Sequence, residues 1–191
     1  MKRSYTPNLY VALTHYPVIN KNGDIVASAV TNLDLHDMSR VAKTYGIPAF
    51  YVVTPLVDQK VLVDRIVNHW TSGKGSIYNP KRREALELIR IKSSLDEVVD
   101  HICRNGKRSL KIVVTSAYHD SRNLSFGRFR EMLEEGKSYL LVFGTAWGLS
   151  ESFIRGADYL LEPIMGNGDY NHLSVRSASA IILDRLLGRE R

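Results

Sequence analysis

The stretch Leu140–Ser150, LLVFGTAWGLS, joins a continuous apolar run to a loop bracketed by two glycines. A short run of apolar residues is typical of a strand that is buried on both faces of a parallel sheet. Gly144 and Gly148 let the backbone turn tightly and come close to a flat ligand. In open α/β sheets, ligands bind beyond the carboxyl ends of the strands, so this turn is predicted to form part of a ligand site.

Strand and helix patterns alternate along the rest of the chain. Apolar runs predict strands at Leu9–Leu13, Ala49–Val53, Leu110–Thr115, Tyr139–Phe143 and Tyr159–Leu161. The run Leu86–Ile91 fits either a helix or a strand, and a strand that ends near Ile91 is favoured. Capping residues, prolines and helical spacing predict helices that begin near Asn32 or Asp34, Asp58, Pro80, Ser94, Phe126 and Leu173. This alternation predicts an α/β fold with a mostly parallel sheet, helices on both faces, and a single domain over residues 1–191.

Composition and charge narrow the function. The 191 residues are 44% hydrophobic and 24% charged, so the chain has enough apolar residues for a core and is not a disordered one. No apolar stretch is long enough to span a membrane, and we predict no signal peptide and no membrane partner. The net charge of +6 favours an anionic partner, with RNA or DNA ahead of acidic lipid. The one cysteine, Cys103, excludes an internal disulfide framework, is expected in the core, and favours the cytoplasm as compartment.

Several common site patterns do not match. Gly144 does not begin a G-x-G-x-x-G fingerprint, which disfavours a nicotinamide dinucleotide fold. The segment Ser72–Ser76, SGKGS, resembles only part of a phosphate-binding loop and is expected to be a mobile surface loop. The six histidines show no metal-ligand spacing, so we predict no metal site.

Four stretches together resemble the SPOUT superfamily of RNA methyltransferases. VFGTAWGLS resembles its second motif, ADYLLEPIMGNG the stretch that leads to the third, and HLSVRSASAII the third motif itself. Upstream, His36–Val53, HDMSRVAKTYGIPAFYVV, resembles the first motif of the SpoU-type ribose 2′-O-methyltransferases. As a whole, the chain looks like the stand-alone form of a bacterial S-adenosylmethionine (SAM)-dependent RNA methyltransferase family. That family also occurs as an extension of tRNA (guanine-N1)-methyltransferases.

The resemblance implies a C-terminal trefoil knot, a homodimer with the cofactor sites near its interface, and SAM as the cofactor. It places the cofactor on the loops at the carboxyl strand ends and on the start of the last helix. The expected cofactor-binding residues are Thr115, Ser116, Ala117, Phe143, Gly144, Thr145, Trp147, Gly148, Leu149, Ile164, Met165, Gly166, Leu173, Ser174, Val175, Arg176 and Ala178.

The same resemblance implies methylation of a ribose 2′-oxygen in a structured RNA, with tRNA as the leading candidate. Arg40, at the motif arginine, would stabilise the alkoxide or a phosphate, because a guanidinium does not readily give up its proton. Ser174 and Arg176, at the start of the last helix, would orient the acceptor or the cofactor carboxylate. Basic residues that track the RNA backbone are expected at Lys81, Arg82, Arg83, Arg122 and Arg128.

Two alternatives stay open at this point. The loop Thr145-Ala146-Trp147 lacks the acidic residue usual in the second motif, which favours an RNA-binding module without catalysis. The other alternative is base methylation of the guanine-N1 type, for which Asp169 is a possible general base. Binding of SAM tests the first alternative, and analysis of the methylated product tests the second.

Overall fold

The computed structural model describes residues 7–104, 106, 109–168 and 170–189. Within these ranges the strands are β1 (Leu9–Thr14), β2 (Val18–Ile19), β3 (Ile25–Val26), β4 (Phe50–Val53), β5 (Ile89–Lys92), β6 (Leu110–Thr115), β7 (Asn123–Leu124), β8 (Ser138–Gly144) and β9 (Tyr159–Leu161). The helices are α1 (Asn32–Thr44), α2 (Val57–Thr71), α3 (Lys74–Tyr78), α4 (Pro80–Leu86), α5 (Leu95–Arg104), α6 (Phe126–Glu134), α7 (Glu151–Gly156) and α8 (Val175–Leu187).

Seven strands form one sheet in the order β5-β4-β1-β8-β6-β9-β7, and every neighbouring pair is parallel. The prediction of a mostly parallel sheet is therefore confirmed. β1 lies between β4 and β8, and its Thr14 is opposite Val53 of β4 and Gly144 of β8. This register brings the carboxyl ends of the three strands to one edge. The short antiparallel hairpin β2–β3 turns at Gly23, whose φ of 86° favours glycine.

The sheet is covered by helices on both faces, as predicted. Alternate residues of β1 point to opposite sides, with Leu9, Val11 and Leu13 in one apolar cluster and Ala12 in the other. The first cluster contains the buried faces of α1, α2, α4, α6 and α8. The second contains α5, with α7 packed against it. The buried strands β4 and β8 read as continuous apolar runs because both of their faces are covered.

The element boundaries differ from the sequence prediction at several places. Leu86 ends α4 and β5 begins only at Ile89, so the favoured strand over Leu86–Ile91 was wrong in its first half, and α8 begins at Val175, two residues after Leu173. Thr31, rather than Asn32 or Asp34, caps α1, and its Oγ1 accepts a hydrogen bond from the Asp34 N–H at 3.2 Å. Thr31 takes this place because its extended backbone (φ −108°, ψ 144°) is the usual N-cap conformation. Helix α2 begins at Val57, one residue before Asp58, and no side chain caps it.

Two further expectations were wrong. The segment Ser72–Ser76 is not a loop throughout, because α3 begins at Lys74. Gly75 packs against the Trp70 ring there so closely that a Cβ would lie 2.7 Å from the ring atom Cε3. Cys103 is exposed rather than buried, since the core-facing residues of α5 are Val98 and Ile102.

The predicted caps of α4 and α5 are confirmed. Pro80 is at the first turn of α4, and the Asn79 carboxamide oxygen accepts the Arg82 N–H at 3.0 Å. Ser94 Oγ accepts the Glu97 N–H at 3.2 Å, and Glu97 reaches back to the N–H of Ser93 at 2.9 Å. Within the described ranges, no helix combines the length and apolar character needed to cross a bilayer.

Candidate functional site

A cavity of about 860 Å³ opens at the carboxyl edge of the sheet, beyond the ends of β1, β6, β8 and β9. We call it the carboxyl-edge cavity; it is lined by Ile19 and by residues within 28–34, 115–122, 143–154, 160–164 and 171–182. Small-molecule and cofactor sites occupy roughly 300–1,000 Å³, so the volume suits a ligand of cofactor size. The position is the one that open α/β sheets use for ligands.

The loop after β8 forms one wall of the cavity with an unusual backbone. Ala146 has a φ of 53° and Gly148 a φ of 103°, both in the left-handed region. The loop is held to the segment after β1 by two hydrogen bonds: Ile19 N–H donates to the Gly148 carbonyl at 3.0 Å, and Trp147 N–H donates to the Ile19 carbonyl at 3.1 Å. The backbone is therefore fixed, while the Trp147 side chain is 62% exposed at the cavity mouth.

The start of α8 forms the opposite wall. Ser174 caps the helix, and its Oγ accepts the Ser177 N–H at 3.2 Å. Val175 and Ala178 line the cavity, so the amino-terminal end of the helix lies beside it. Unpaired N–H groups and the helix dipole favour an anion at such an end. A ligand carboxylate is the kind of group that this wall can hold.

A buried carboxylate faces the cavity from α1. Asp34 accepts hydrogen bonds from Thr31 Oγ1 at 2.6 Å and from Arg176 Nη1 at 2.8 Å. Arg176 Nε also lies 3.5 Å from an Asp37 oxygen. Arg176 does not itself line the cavity, but it ties α8 to α1 and neutralises Asp34. Removal of Arg176 would leave the buried Asp34 carboxylate without a compensating charge.

A chain of hydroxyl and imidazole groups lies behind the glycine loop. His15 Nδ1 is 3.1 Å from Ser28 Oγ, Ser28 Oγ is hydrogen-bonded to Thr145 Oγ1, and Thr145 Oγ1 donates to the Thr14 carbonyl at 3.1 Å. Because Thr145 uses its proton on Thr14, Ser28 donates to Thr145, and His15 donates from Nδ1 to Ser28. Burial lowers the pKa of His15 to about 4, and the nearby Asp34 charge opposes this shift only in part. His15 is therefore neutral at physiological pH.

The structure brings most of the expected cofactor residues together. Those that line the carboxyl-edge cavity are Thr115, Ser116, Ala117, Phe143, Gly144, Thr145, Trp147, Gly148, Leu149, Ile164, Leu173, Ser174, Val175 and Ala178. Met165, Gly166 and Arg176 are not among the lining residues. The chain turns outward after Ile164, and the Met165 side chain is exposed.

The expected catalytic and RNA-contacting cations are more dispersed. Arg40 is exposed on α1, six residues after Asp34, and is not among the residues that line the cavity. Arg122 lines the cavity and is paired with Asp120 at 2.9 Å. The other four RNA-contact candidates are not among the cavity-lining residues. On α4, Lys81 pairs with Glu84 at 2.9 Å and Arg83 with Glu87 at 2.8 Å, while on α6 Arg128 pairs with Glu131 at 2.8 Å.

Arg82 differs from its neighbours on α4. Its guanidinium carbon lies 4.5 Å from the centroid of the Trp70 ring, and its Nε is buried without a hydrogen-bond partner in the described structure. The contact is a cation–π interaction between α4 and α2. The Arg82 side chain, which was expected to contact an RNA phosphate, is therefore packed against Trp70 in this structure.

Three cavity or near-cavity residues were missed as functional candidates in the sequence. Asp34 was not assigned a role in the site, and neither were His15 and Ser28. The one available signal was the placement of His15 directly after the carboxyl end of a buried strand. Asp169 lies outside the described residues. The described ranges contain no group of three or more His, Cys, Asp or Glu side chains arranged to hold a metal ion.

Three comparisons with known proteins show which family the chain resembles. The model of a SAM-dependent RNA methyltransferase family matches residues 8–188. An uncharacterized protein of Aquifex aeolicus is 40% identical over 185 residues, which is 96% of this chain and 90% of that protein. A protein of Oleidesulfovibrio alaskensis named tRNA (guanine-N(1)-)-methyltransferase is 44% identical over 181 residues. That match covers 95% of this chain but only 42% of the relative, so the chain spans less than half of the relative's length.

The fold is shared with a solved SpoU methyltransferase. The structure of AviRb from Streptomyces viridochromogenes, in complex with AdoMet, aligns with a TM-score of 0.55 at 19% identity. The alignment covers 95% of this chain and 57% of that one. At this identity the likeness shows the fold alone. Because the family model covers nearly the whole sequence, the chain belongs to the family of SAM-dependent RNA methyltransferases.

Proposed function

We infer that the chain acts as one methyltransferase domain and transfers the methyl group of SAM to a ribose 2′-oxygen of tRNA. The observation that supports this most directly is the carboxyl-edge cavity, which is lined by residues of the second and third motifs. SAM supplies a methyl group on a cationic sulfur. The loops Thr115–Ala117 and Gly144–Leu149 would bind it through backbone groups, and the start of α8 would receive its carboxylate.

Asp34 is the group that we assign to the acceptor hydroxyl. A ribose hydroxyl loses its proton as its oxygen attacks the methyl group, so a nearby acceptor for that proton lowers the barrier. Asp34 faces the cavity, and Thr31 and Arg176 hold its carboxylate in one orientation. In this assignment Arg176 positions Asp34 rather than touching the substrate, and Ser174 orients the helix end.

Arg40 retains its proposed role toward the substrate, from the exposed side of α1. An exposed guanidinium is available to an RNA phosphate or to the developing negative charge on the acceptor oxygen. The net charge of +6 supports an RNA partner in general, and such an RNA is met in the cytoplasm. Lys81, Arg83, Arg122 and Arg128 are exposed enough to contact its backbone.

A homodimer and a C-terminal trefoil knot are part of the same proposal. Exposed apolar side chains on α1 and α2, among them Leu33, Val57, Val61 and Leu62, support an interface between two copies. Small residues on α8 support the close packing that a knotted chain requires, and Ser179 is fully buried there. Sedimentation at micromolar concentration is expected to show a dimer, and a stable monomer of 21.6 kDa would reject it.

The proposed reaction is tested by incubation of the protein with bulk tRNA and SAM labelled on the methyl group. Mass spectrometry of the nuclease-digested RNA is expected to find the label on ribose. A label on a base would favour guanine-N1-type methylation, which the name of the Oleidesulfovibrio alaskensis relative supports. Calorimetry that shows no SAM binding would favour an RNA-binding module.

A further inference from the structure

The two tryptophans of the chain have opposite surroundings. Trp70 is packed against the Arg82 guanidinium, and His36 and His69 contact its ring edge-on at centroid distances of 5.4 and 5.1 Å. Trp147 is exposed, and no ring or guanidinium of the described chain stacks on it. A large apolar side chain is usually buried when its role is packing. The Trp147 indole therefore has no packing role in this structure.

The backbone that carries Trp147 is nevertheless rigidly placed. Hydrogen bonds to Ile19 hold it on both sides, and Gly148 N–H donates to the Thr145 carbonyl at 2.9 Å. Ala146, immediately before it, has the left-handed φ of 53°, which costs a non-glycine residue about 1–2 kcal/mol. Strain of this kind persists where the surrounding structure enforces it, most often at binding sites. The turn thus presents a fixed, exposed indole at the cavity mouth.

Other exposed aromatic rings lie close to the same mouth. Tyr118 lines the cavity from the loop after β6 and is 77% exposed. Tyr170 is 79% exposed and contacts the cavity-lining His172 edge-on. The cations nearby are paired, Arg122 with Asp120 and Arg155 with Glu151. Ring faces, rather than unpaired positive charges, are what this part of the surface offers to a ligand.

We propose that Trp147, together with Tyr118, forms a stacking platform for an unpaired nucleobase next to the methyl acceptor. The proposal rests on the RNA substrate inferred above and specifies its form. A base inside a duplex has both faces covered by its neighbours, whereas a base in a loop or a single strand can stack on an aromatic side chain. The enzyme would therefore accept nucleotides from single-stranded or looped RNA and discriminate against paired ones.

The test uses the fact that the chain has only two tryptophans. In a Trp70→Phe variant, Trp147 is the only tryptophan, so its fluorescence reports directly on stacking. We would titrate this variant, saturated with S-adenosylhomocysteine, with a short single-stranded RNA of mixed sequence and with the same strand annealed to its complement. The single strand is expected to quench the fluorescence with saturation, and the duplex to bind at least tenfold more weakly.

A second measurement avoids any effect of the Trp70 change on folding. In the otherwise unaltered chain, Trp147→Ala should weaken binding of a fluorescently labelled single strand by about tenfold or more, as measured by anisotropy. Trp147→Phe should retain most of the affinity because it keeps an aromatic face. Tyr78→Ala is the matched control, since Tyr78 is an exposed aromatic residue on α3 away from the cavity lining.

Four results would overturn the proposal. Full quenching by the cofactor product alone would mean that Trp147 stacks on the cofactor. Equal affinity for the duplex and the single strand would show that the protein does not discriminate between them. Quenching that increases with protein concentration in the absence of RNA would show that Trp147 contacts a second copy of the chain. None of these measurements needs methyl transfer. A failure of ribose methylation with intact stacking would therefore reject only the proposed reaction, and unchanged binding by Trp147→Ala would reject only the platform.

Discussion

The carboxyl-edge cavity and the cluster formed by His36, His69, Trp70 and Arg82 contain the same kinds of residue in opposite arrangements. In the cluster, which joins α1, α2 and α4, the rings and the guanidinium contact one another. At the cavity, Trp147 and Tyr118 are exposed, and no other ring of the described chain contacts either of them. Residue type alone therefore does not separate a binding surface from a packing contact. The difference lies in which groups are already satisfied within the fold.

The largest expected effect comes from a change in the glycine loop of the cavity. Gly148 has a φ of 103°, and a Cβ there would meet no atom within 4 Å. A valine at this position would therefore act through backbone strain and by filling part of the cavity, not through a steric clash with the protein. Gly148→Val is expected to lower the affinity for SAM by about 100-fold or more, measured by calorimetry. Gly127→Val on α6, also in open space but at an ordinary φ, is the control. Unchanged SAM affinity of Gly148→Val would show that this loop does not contribute to cofactor binding.

The second effect compares a buried histidine near the cavity, His15, with a half-buried one in the cluster, His36. The pKa of His15 is about 4 in the folded chain against 6.5 when exposed, so the unfolded state binds more protons between these values. The free energy of unfolding should therefore fall as pH decreases from 6.5 to 4, by on the order of 3 kcal/mol from this residue. Denaturant unfolding of His15→Gln across this pH range should show a much weaker dependence.

His36 of the cluster provides the comparison for His15. Burial and the Arg82 and Arg40 charges lower its pKa, and Asp37 opposes them. The sign of its contribution is the same, since a lowered pKa means that the folded state again binds fewer protons than the unfolded state. His36→Gln should remove a smaller part of the pH dependence, because this side chain is only half-buried. If His36→Gln changed the pH dependence of unfolding as much as His15→Gln or more, the more strongly desolvated histidine would be His36, not His15.

The third effect concerns Arg40, on the exposed side of α1, the helix that carries both Asp34 of the cavity and His36 of the cluster. Arg40→Ala is expected to reduce turnover on bulk tRNA by about 100-fold and leave SAM affinity unchanged, because it removes a charge that stabilises the transition state. Arg65→Ala removes an equally exposed cation from the neighbouring α2 and is the control. A rise in KM for tRNA without a change in kcat would make Arg40 a phosphate contact only.

The smallest effects are expected within the basic segment of α4. Arg82→Ala should lower the free energy of unfolding by about 1 kcal/mol through loss of the Trp70 contact. Lys81→Ala, which removes only an exposed ion pair, should change it by less than about 0.5 kcal/mol. Conversely, Lys81→Ala should reduce the salt slope of RNA binding by about 1 if the lysine contacts a phosphate. If Arg82→Ala reduced the salt slope of RNA binding more than Lys81→Ala does, the distinction between a packing arginine and a phosphate-binding lysine would be lost.

The sequence by itself determined the α/β class, most of the strands and the glycine loop at the end of β8. These features depend on local patterns: continuous apolar runs such as that of β4, caps such as Asn79, and glycines that permit a left-handed backbone. Of the seventeen residues expected at the cofactor site, fourteen line the cavity. Each of these signals lies within one short stretch of chain.

The tertiary structure alone decided which distant groups meet. Asp34 pairs with Arg176 across 142 positions, and Ser28 bonds to Thr145 across 117, so no local spacing records either contact. The exposure of Trp147, the packing of Trp70 on Arg82 and the exposure of Cys103 were equally invisible, because amphipathic patterns do not say which neighbour covers a side chain. Burial and pairing are properties of assembled elements, and they set the charge state of His15 and the orientation of Asp34.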